Sequence, residues 1–199
     1  MAYEYRKMTP EQREAVVRLR VVKGFPLHSP PHVFKEKTYY LITAANFEHQ
    51  HIMASAERRT EFQKLAMEKF QEADVELAAW VFLPNHYHVL AYMPVFAKLS
   101  LLFNRLHGVT SRTWNLEEHK VGRTVWYKFT DRMMRSEERY YTTLNYIHYN
   151  LVKHGYVKRL GEWEWSSFNR YLQEHGRDWL VEIWKNYPIK NYGEKWDIF

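Results

Sequence analysis

The segment at residues 75–93 constrains the fold of this chain more than any other part of the sequence. Strand-forming residues fill it except at Pro84-Asn85, a pair that favours a tight turn. A turn between two such runs predicts an antiparallel hairpin. Because side chains alternate along a strand, His86 and His88 share one face of the second strand, and Tyr87 points to the other. The hairpin therefore presents two imidazoles side by side at the start of a strand.

The other hydrophobic patterns extend this hairpin into a longer order of strands and helices. In chain order we predict a strand at 38–45, a helix from Ser55, the hairpin strands at 75–83 and 86–93, a helix around 99–113, a strand at 124–129, and a helix that begins at Ser136 and ends at Gly155. The first six elements, β-α-β-β-α-β, match the ferredoxin-like split βαβ arrangement. The expected fold class is therefore α+β, with one more helix after the sixth element.

Composition divides the chain into three parts. Residues 1–35 form an N-terminal extension, with a helical stretch around Pro10–Val22 and a proline-rich connector after it. Residues 36–159 form the compact domain. Residues 160–199 form an aromatic C-terminal extension with five tryptophans, a content that favours packing on the domain over a loose tail.

Composition also excludes several classes of protein. No run of about eighteen apolar residues is present, so we expect no membrane span. The absence of cysteine excludes disulfides, thiolate zinc sites and a cysteine nucleophile. Together with a first segment too polar for a secretory signal, it favours a cytoplasmic location. No Gly-x-x-x-x-Gly-Lys loop occurs, so we expect no nucleotide cofactor.

Positive charge is concentrated in one part of the sequence. The chain has a net charge of +6, and residues 98–159 alone hold 12 Lys and Arg against 5 Asp and Glu, a net of +7. A polyanion is the natural partner of such a surface, although a basic surface alone also suits an ordinary soluble protein. The candidate contacts to nucleic acid are Arg105, Arg112, Lys128, Arg132, Arg135 and Lys153.

The last predicted helix carries a second pair of candidate groups. Tyr146 and Asn150 lie four residues apart and so share a face. The rest of that face, with Arg139, Thr143 and Lys153, is polar and partly basic, which is a poor environment for a core tyrosine. Two imidazoles and a carboxamide can hold a divalent cation, and a phenol beside them can attack a phosphodiester. Tyr146 is therefore our candidate nucleophile.

Each of these residues also has a plainer interpretation. A His-x-His pair on a half-exposed strand more often belongs to the surface than to a site. A tyrosine in a helix usually packs in the core, and Asn150 can be an ordinary polar residue near a helix end. We interpret His148 and His154 as surface groups or as groups beside the ligands.

Four blocks of sequence resemble one protein family. Residues 80–90 look like the HUH (histidine, bulky hydrophobic, histidine) block of the Y1, IS200/IS605-like transposases. Residues 145–155 are similar to the catalytic helix of one branch, the REP-associated tyrosine transposases, and residues 125–135 and 163–168 resemble the blocks that flank that helix. The family usually has proline at the position of Leu151, a departure that changes no proposed ligand.

The resemblance implies a function and a set of site residues. His86, His88 and Asn150 would be ligands of a divalent metal, Mg²⁺ or Mn²⁺, and Tyr146 would be the nucleophile. The family cuts single-stranded DNA near imperfect palindromes that fold as hairpins, and leaves a 5′-phosphotyrosine and a free 3′-OH. We expect a monomer or a homodimer. Two alternatives remain: a replication or relaxase-type HUH endonuclease, and a domesticated, non-catalytic hairpin-binding protein.

Overall fold

The computed structural model describes residues 8–22, 37–95 and 97–194. Its elements in chain order are α1 (Pro10–Val22), β1 (Thr38–Ala45), α2 (Ala56–Glu72), β2 (Glu76–Phe82), β3 (His86–Met93), α3 (Lys98–Glu117), β4 (Thr130–Met133), α4 (Glu137–Lys153) and α5 (Phe168–Asn186). Short 3-10 helices lie at Phe47–His49 and Leu160–Glu162. The proline-rich connector predicted after α1 lies outside the described residues. Within the described ranges, no helix is both long and apolar enough to cross a membrane.

The four strands form one sheet in the order β2-β3-β1-β4, and each neighbouring pair is antiparallel. β1 and β3 are the central strands and pair along their whole length, from Thr38 opposite Met93 to Ala45 opposite His86. This strand order, with helices after β1 and β3, is the split βαβ arrangement of ferredoxin-like domains. The predicted fold class is confirmed.

β3 separates two apolar clusters, one on each face of the sheet. Tyr87 and Val89 belong to the larger cluster, which α2 and α3 cover. Leu90 belongs to the smaller cluster, which α4 covers. His86 and His88 alternate with Tyr87 and Val89 and so lie on the α4 face, both buried. The alternation predicted from the sequence is therefore present.

The helix ends have the local causes that the sequence predicts. The Ser55 hydroxyl accepts a hydrogen bond from the Arg58 backbone N–H at the start of α2, at 3.2 Å. The Ser136 hydroxyl does the same for Arg139 at the start of α4, at 3.1 Å. Gly155, with φ +71°, takes up the left-handed backbone that ends α4. The orientation of the helix that carries Tyr146 is thus set at both ends.

The position of the fourth strand differs from the prediction. We expected it at 124–129, but β4 is Thr130–Met133, paired with residues 40–43 of β1. Residues 124–129 run past the end of β1, where only one isolated bridge forms, between Asn46 and Trp126. In this segment the neighbours Val125 and Trp126 are both buried, so burial does not alternate along it. An alternating pattern over 124–129 therefore does not describe a strand with one buried face.

The described part of residues 160–199 is integral to the core. Residues 165–167 run along the outer edge of β2, where the Phe82 N–H donates to the Trp165 carbonyl at 2.9 Å. Trp163 lies in the smaller apolar cluster. The buried Arg59 side chain places its guanidinium over the Trp163 and Trp165 rings, at 4.8 and 4.1 Å from their centroids. These contacts cover one edge of the sheet and direct α5 against α4.

A half-buried histidine on α3 predicts that the fold weakens in mild acid. Burial lowers the pKa of His107 to about 3, whereas an exposed histidine in the unfolded chain titrates near 6.5. Between these values the unfolded chain binds a proton that the folded protein does not, so stability is complete above about pH 6.5 and falls as the pH drops. We expect His107 to account for a loss of about 1.4 kcal/mol per pH unit.

Urea unfolding at pH 7, 6 and 5 measures this loss. The His107→Phe variant keeps a ring in the same place but cannot bind a proton, so its stability should fall less steeply than that of the wild type. Parallel curves for the two proteins would contradict the assignment.

Candidate active site

Two histidines at the start of β3 form the centre of the candidate site. The rings of His86 and His88 lie 5.1 Å apart between centroids, nearly perpendicular to each other. Their exposures are 1% and 0%, so neither belongs to the surface. The plainer interpretation of this pair as half-exposed surface residues therefore does not hold.

Hydrogen bonds on the far side of each ring fix the orientation of the pair. The Nδ1 atom of His86 lies 2.7 Å from the Asn85 Oδ1. Because an amide oxygen only accepts, this Nδ1 carries the proton and Nε2 holds a lone pair. The Nδ1 atom of His88 lies 2.7 Å from the Thr43 hydroxyl, which can donate or accept. Such outer bonds are the usual support of imidazoles that bind metal through the other nitrogen.

Tyr146 on α4 packs directly against this pair. Its ring lies 5.2 Å from the His88 ring, and its hydroxyl lies 3.4 Å from His88 Nε2. The structure therefore brings together two segments that the sequence separates by about sixty residues. The phenol oxygen therefore lies next to His88 Nε2, the ring nitrogen that does not bond to Thr43.

Asn150 lies between Tyr146 and His154 on the same face of α4. These three residues follow one another at four-residue spacing, and so they form one column. The Tyr146 ring packs on His88, and the His154 ring packs on His86 at 5.2 Å. Asn150 is fully buried in the middle of this column and therefore faces the histidine pair.

The two other histidines of this helix have different positions. His154 lies beside His86, as one of the two predicted options had it. His148 is buried, and its Nε2 lies 2.9 Å from the Ser167 hydroxyl. That hydroxyl also accepts from the Trp80 backbone N–H at 3.0 Å. His148 thus connects α4 to β2 and the C-terminal segment, away from the histidine pair.

The candidate nucleophile is covered by the C-terminal segment. Tyr146 is 1% exposed, with Tyr192 packed edge-on at 5.4 Å between ring centroids. Gly193 touches it so closely that a Cβ there would stand 2.3 Å from Tyr146 Cε2. Lys153 Nζ donates to the Gly193 carbonyl at 3.1 Å. From the polar face of its helix we expected that Tyr146 is not a core residue. That expectation was wrong, because residues near the C-terminal end of the described chain bury it.

Sequence reasoning missed the residues that hold this cover. The Tyr192 hydroxyl is hydrogen bonded to the Thr143 hydroxyl. The Arg139 guanidinium lies over the Tyr192 ring, 4.8 Å from its centroid. Burial raises the pKa of Tyr192, so its phenol is neutral at physiological pH. No motif in the sequence predicts these contacts, because each joins α4 to a segment that follows some forty or more residues later.

The six candidate cations do not gather at one place. All of them are exposed. Lys153 lies near Tyr146, with its Nζ 5.6 Å from the ring centroid, and Arg132 is close enough to Tyr192 to affect its pKa. Arg105 and Arg112 lie on α3, and Lys128 borders that helix, on the opposite face of the sheet. Arg135 lies in a cleft beside the start of α4.

The nitrogen and oxygen atoms of His86, His88 and Asn150 are suitable ligands for a divalent metal. Within the described part of the chain, no group of three or more His, Cys, Asp or Glu side chains could hold a metal ion. The candidate set differs in its third member, which is the carboxamide of Asn150. Two neutral imidazoles with an amide oxygen suit Mn²⁺ well, and Mg²⁺, which prefers oxygen ligands, less well. The residues present are therefore compatible with the metal that the sequence predicts.

Comparison with known families places the chain in one of them. The family model described as "Transposase IS200 like" matches residues 34–150. This range contains both histidines, the tyrosine and the asparagine of the site, and it covers more than half of the chain. The protein belongs to the IS200-like transposase family, and the family predicted from the four sequence blocks is confirmed.

Individual relatives agree with this assignment. The chain is 29% identical over 131 residues to a Haemophilus influenzae protein provisionally named a REP-associated tyrosine transposase. The aligned region covers 60% of this chain and 74% of that protein. It is 30% identical over 115 residues to the REP-associated tyrosine transposase of Escherichia coli K12. That aligned region covers 54% of this chain and 64% of the relative. A solved REP-associated tyrosine transposase bound to a REP hairpin superposes with a TM-score of 0.62 and 18% identity, over 76% of this chain and 88% of that one. At this identity the superposition shows a common fold.

The contact of Gly193 with Tyr146 predicts that a single methyl group opens the site. In Gly193→Ala the new Cβ cannot fit over the Tyr146 ring, so the segment around Tyr192 should move away and expose the phenol. Nitration of Tyr146 by tetranitromethane, measured by mass spectrometry, should rise at least several-fold.

Gly122→Ala is the matched control for this variant. Gly122 also has a positive φ, of +91°, but a Cβ there meets nothing within 4 Å. The two variants share the backbone strain and differ in the contact. Equal nitration of Tyr146 in both would refute the idea that Gly193 closes the site.

Proposed function

We propose that this protein cuts and rejoins single-stranded DNA at hairpin sequences through a covalent bond to Tyr146. Membership of a transposase family supports DNA strand transfer as the activity. The solved relative that is bound to a REP hairpin supports a hairpin as the substrate. The observation that carries the proposal is the Tyr146 hydroxyl 3.4 Å from His88 Nε2, beside the paired ring of His86.

The chemistry requires help for a weak nucleophile. A tyrosine hydroxyl has an ordinary pKa of about 10, and a phosphodiester is already anionic. His86, His88 and Asn150 would hold the divalent metal. When bound, it would neutralise charge on the scissile phosphate. The outer bonds to Asn85 and Thr43 fix the orientation of both imidazoles under α4, so the site is ordered before DNA arrives.

The bonds exchanged follow from the position of the phenol. The Tyr146 hydroxyl loses its proton, and its oxygen forms a bond to the phosphorus. The bond from phosphorus to the 3′-oxygen breaks, and that oxygen leaves as a 3′-OH after taking up a proton. The 5′ end is then held as a phosphotyrosine, which keeps the free energy of the cut bond. A second 3′-OH can reverse the step without a nucleotide.

Cleavage also requires the C-terminal cover to move. Tyr192 and Gly193 occupy the space above the Tyr146 ring that a phosphate must enter. Their departure would release Lys153 from the Gly193 carbonyl and leave its ammonium beside the phenol. Lys153 and Arg132 are then our candidates for contacts to the phosphates around the cut.

A second function is favoured by the same cover. A protein whose tyrosine is permanently buried would bind hairpin DNA without cutting it. This non-catalytic reading differs from the first in one respect only, which is whether the segment at Tyr192 ever leaves Tyr146. Formation of a covalent adduct separates the two.

Substitution of the histidine pair tests the metal. His86→Ala and His88→Ala should each abolish Mn²⁺-dependent cleavage of a labelled hairpin and weaken Mn²⁺ binding, measured by electron paramagnetic resonance, at least tenfold. Hairpin affinity should stay within about threefold, since phosphate contacts elsewhere supply most of it. His119→Ala, at an exposed histidine after α3, is the control and should leave both readouts unchanged. Full cleavage by the double variant would remove the metal from the account.

Removal of one oxygen tests the nucleophile. Tyr146→Phe keeps the ring and its packing, so it should bind the hairpin as the wild type does. It should form no labelled band of protein-attached DNA on a denaturing gel. Tyr149→Phe, on the same helix but 37% exposed, is the control and should keep the adduct. An adduct with the Tyr146→Phe protein would show that another residue attacks.

A further inference from the structure

The helix that carries Tyr146 makes a second buried polar contact on its far side. His148 follows Tyr146 by two residues, which places the two side chains about 200° apart around α4. Both are nevertheless buried, with exposures of 3% and 1%. The Tyr146 hydroxyl lies beside His88, while the Nε2 atom of His148 lies 2.9 Å from the Ser167 hydroxyl oxygen. α4 is therefore held between polar contacts on two opposite sides.

Ser167 is itself fixed to the outer edge of the sheet. Its hydroxyl accepts a hydrogen bond from the Trp80 backbone N–H at 3.0 Å, and its own backbone N–H donates to the Trp80 carbonyl at 3.0 Å. The serine is also fully buried. It therefore cannot follow α4 when that helix turns, because these hydrogen bonds join it to β2.

This serine contact lies at the end of the sheet row that contains His88. Val81 pairs with His88 on one side and forms an isolated bridge to Ser166 on the other. The row therefore crosses two strand spacings, about 10 Å. An α-helix with its side chains is about 10–12 Å wide, so one helix can reach both ends of the row. α4 does so, with Tyr146 at the first end and His148 beside the second.

The apolar contacts of α4 do not by themselves fix its rotation. Leu144, Ile147 and Leu151 are buried in the smaller apolar cluster. Burial of apolar surface is non-directional, so a small turn of the helix changes its free energy little. A hydrogen bond, in contrast, depends steeply on distance and angle. The His148 ring is also held edge-on by the Tyr171 ring, at 5.3 Å between centroids, which restricts the direction of its bond.

We propose that His148 is a positioning residue for Tyr146. Its bond to Ser167 sets the rotation of α4 at which the phenol oxygen lies beside His88. Together with the row through β2 and β3, this bond closes a ring of fixed contacts that starts and ends at the phenol. A misplacement of about 1 Å can slow a reaction about a hundredfold, so the bond controls the rate of attack. This effect on the rate rests on the proposed function, whereas the effect on geometry does not.

One substitution removes the bond and a second restores it. His148→Leu keeps an apolar side chain of similar size but cannot bond to Ser167. His148→Gln carries its amide near the position of the imidazole Nε2, and an amide can donate to a hydroxyl or accept from it. Tyr171→Phe is the matched control. It also removes one hydrogen bond to β2, from the Tyr171 hydroxyl to the Ala78 carbonyl at 3.0 Å, but that bond does not involve α4.

The position of the phenol is measured without any cleavage, by fluorine NMR of protein with a fluorotyrosine at position 146. The fluorine lies on the ring that packs on His88, so its resonance reports the surroundings of that ring in the folded protein. We expect His148→Leu to move or split the resonance. His148→Gln and Tyr171→Phe should leave it near the wild-type position. A loss of stability alone would not move the resonance of the folded protein.

The rate of adduct formation at saturating hairpin and Mn²⁺ is the second readout. His148→Leu should lower this rate about tenfold or more, while hairpin affinity stays within about threefold. His148→Gln should return the rate to within about threefold of the wild type, and Tyr171→Phe should keep it. Ser167→Ala removes the same bond from its other side and should behave as His148→Leu does. Thermal unfolding verifies that each variant is folded.

The other outcomes count against the positioning role. An unchanged fluorine resonance in folded His148→Leu and Ser167→Ala proteins would overturn it, and so would an equal loss of rate in Tyr171→Phe. A displaced resonance with a normal rate of adduct formation would also reject the role, because the position would not matter for the attack. If the wild-type protein forms no adduct, the proposed function fails, and the fluorine spectra alone decide whether His148 sets the position of the phenol.

Discussion

The alternation of side chains along β3 is the constraint on which the rest of the structure depends. Tyr87 enters the larger core, while His86 and His88 are turned to the opposite face under α4. Full pairing of β3 with β1 holds this register. A slip of one residue would place both imidazoles in the larger core, away from Tyr146. The same strand thus fixes the candidate active site on one face and, through the Tyr87 bond to His107, holds α3 on the other.

Most of the fold follows from local patterns in the sequence. The turn at Pro84-Asn85, the hydroxyl of Ser136 and the glycine at position 155 each have one short-range effect, and each appears as predicted. The fourth strand was misplaced because alternation at 124–129 carries no information about where β1 ends. The end of β1 is a property of the pairing and not of the fourth segment alone.

The sequence predicts which residues the candidate site contains, but it does not predict that the C-terminal segment covers them. Strand alternation predicts that His86 and His88 share a face, and helix spacing predicts the same for Tyr146 and Asn150. The family resemblance implies that these two pairs form one site. That Tyr146 is buried depends on Tyr192 and Gly193, whose contacts with α4 no local pattern contains. The proposed role of His148 is hidden for the same reason, because its partner Ser167 lies outside α4.

The proposed function requires that the phenol oxygen of Tyr146 becomes covalently attached to DNA. The most direct measurement is mass spectrometry of proteolytic peptides after the wild-type protein has reacted with a hairpin and Mn²⁺. We expect one nucleotide-bearing peptide, with the 5′-phosphate on Tyr146 and a free 3′-OH on the released strand. A modification on any other residue, or a released strand that ends in a 3′-phosphate, would contradict it.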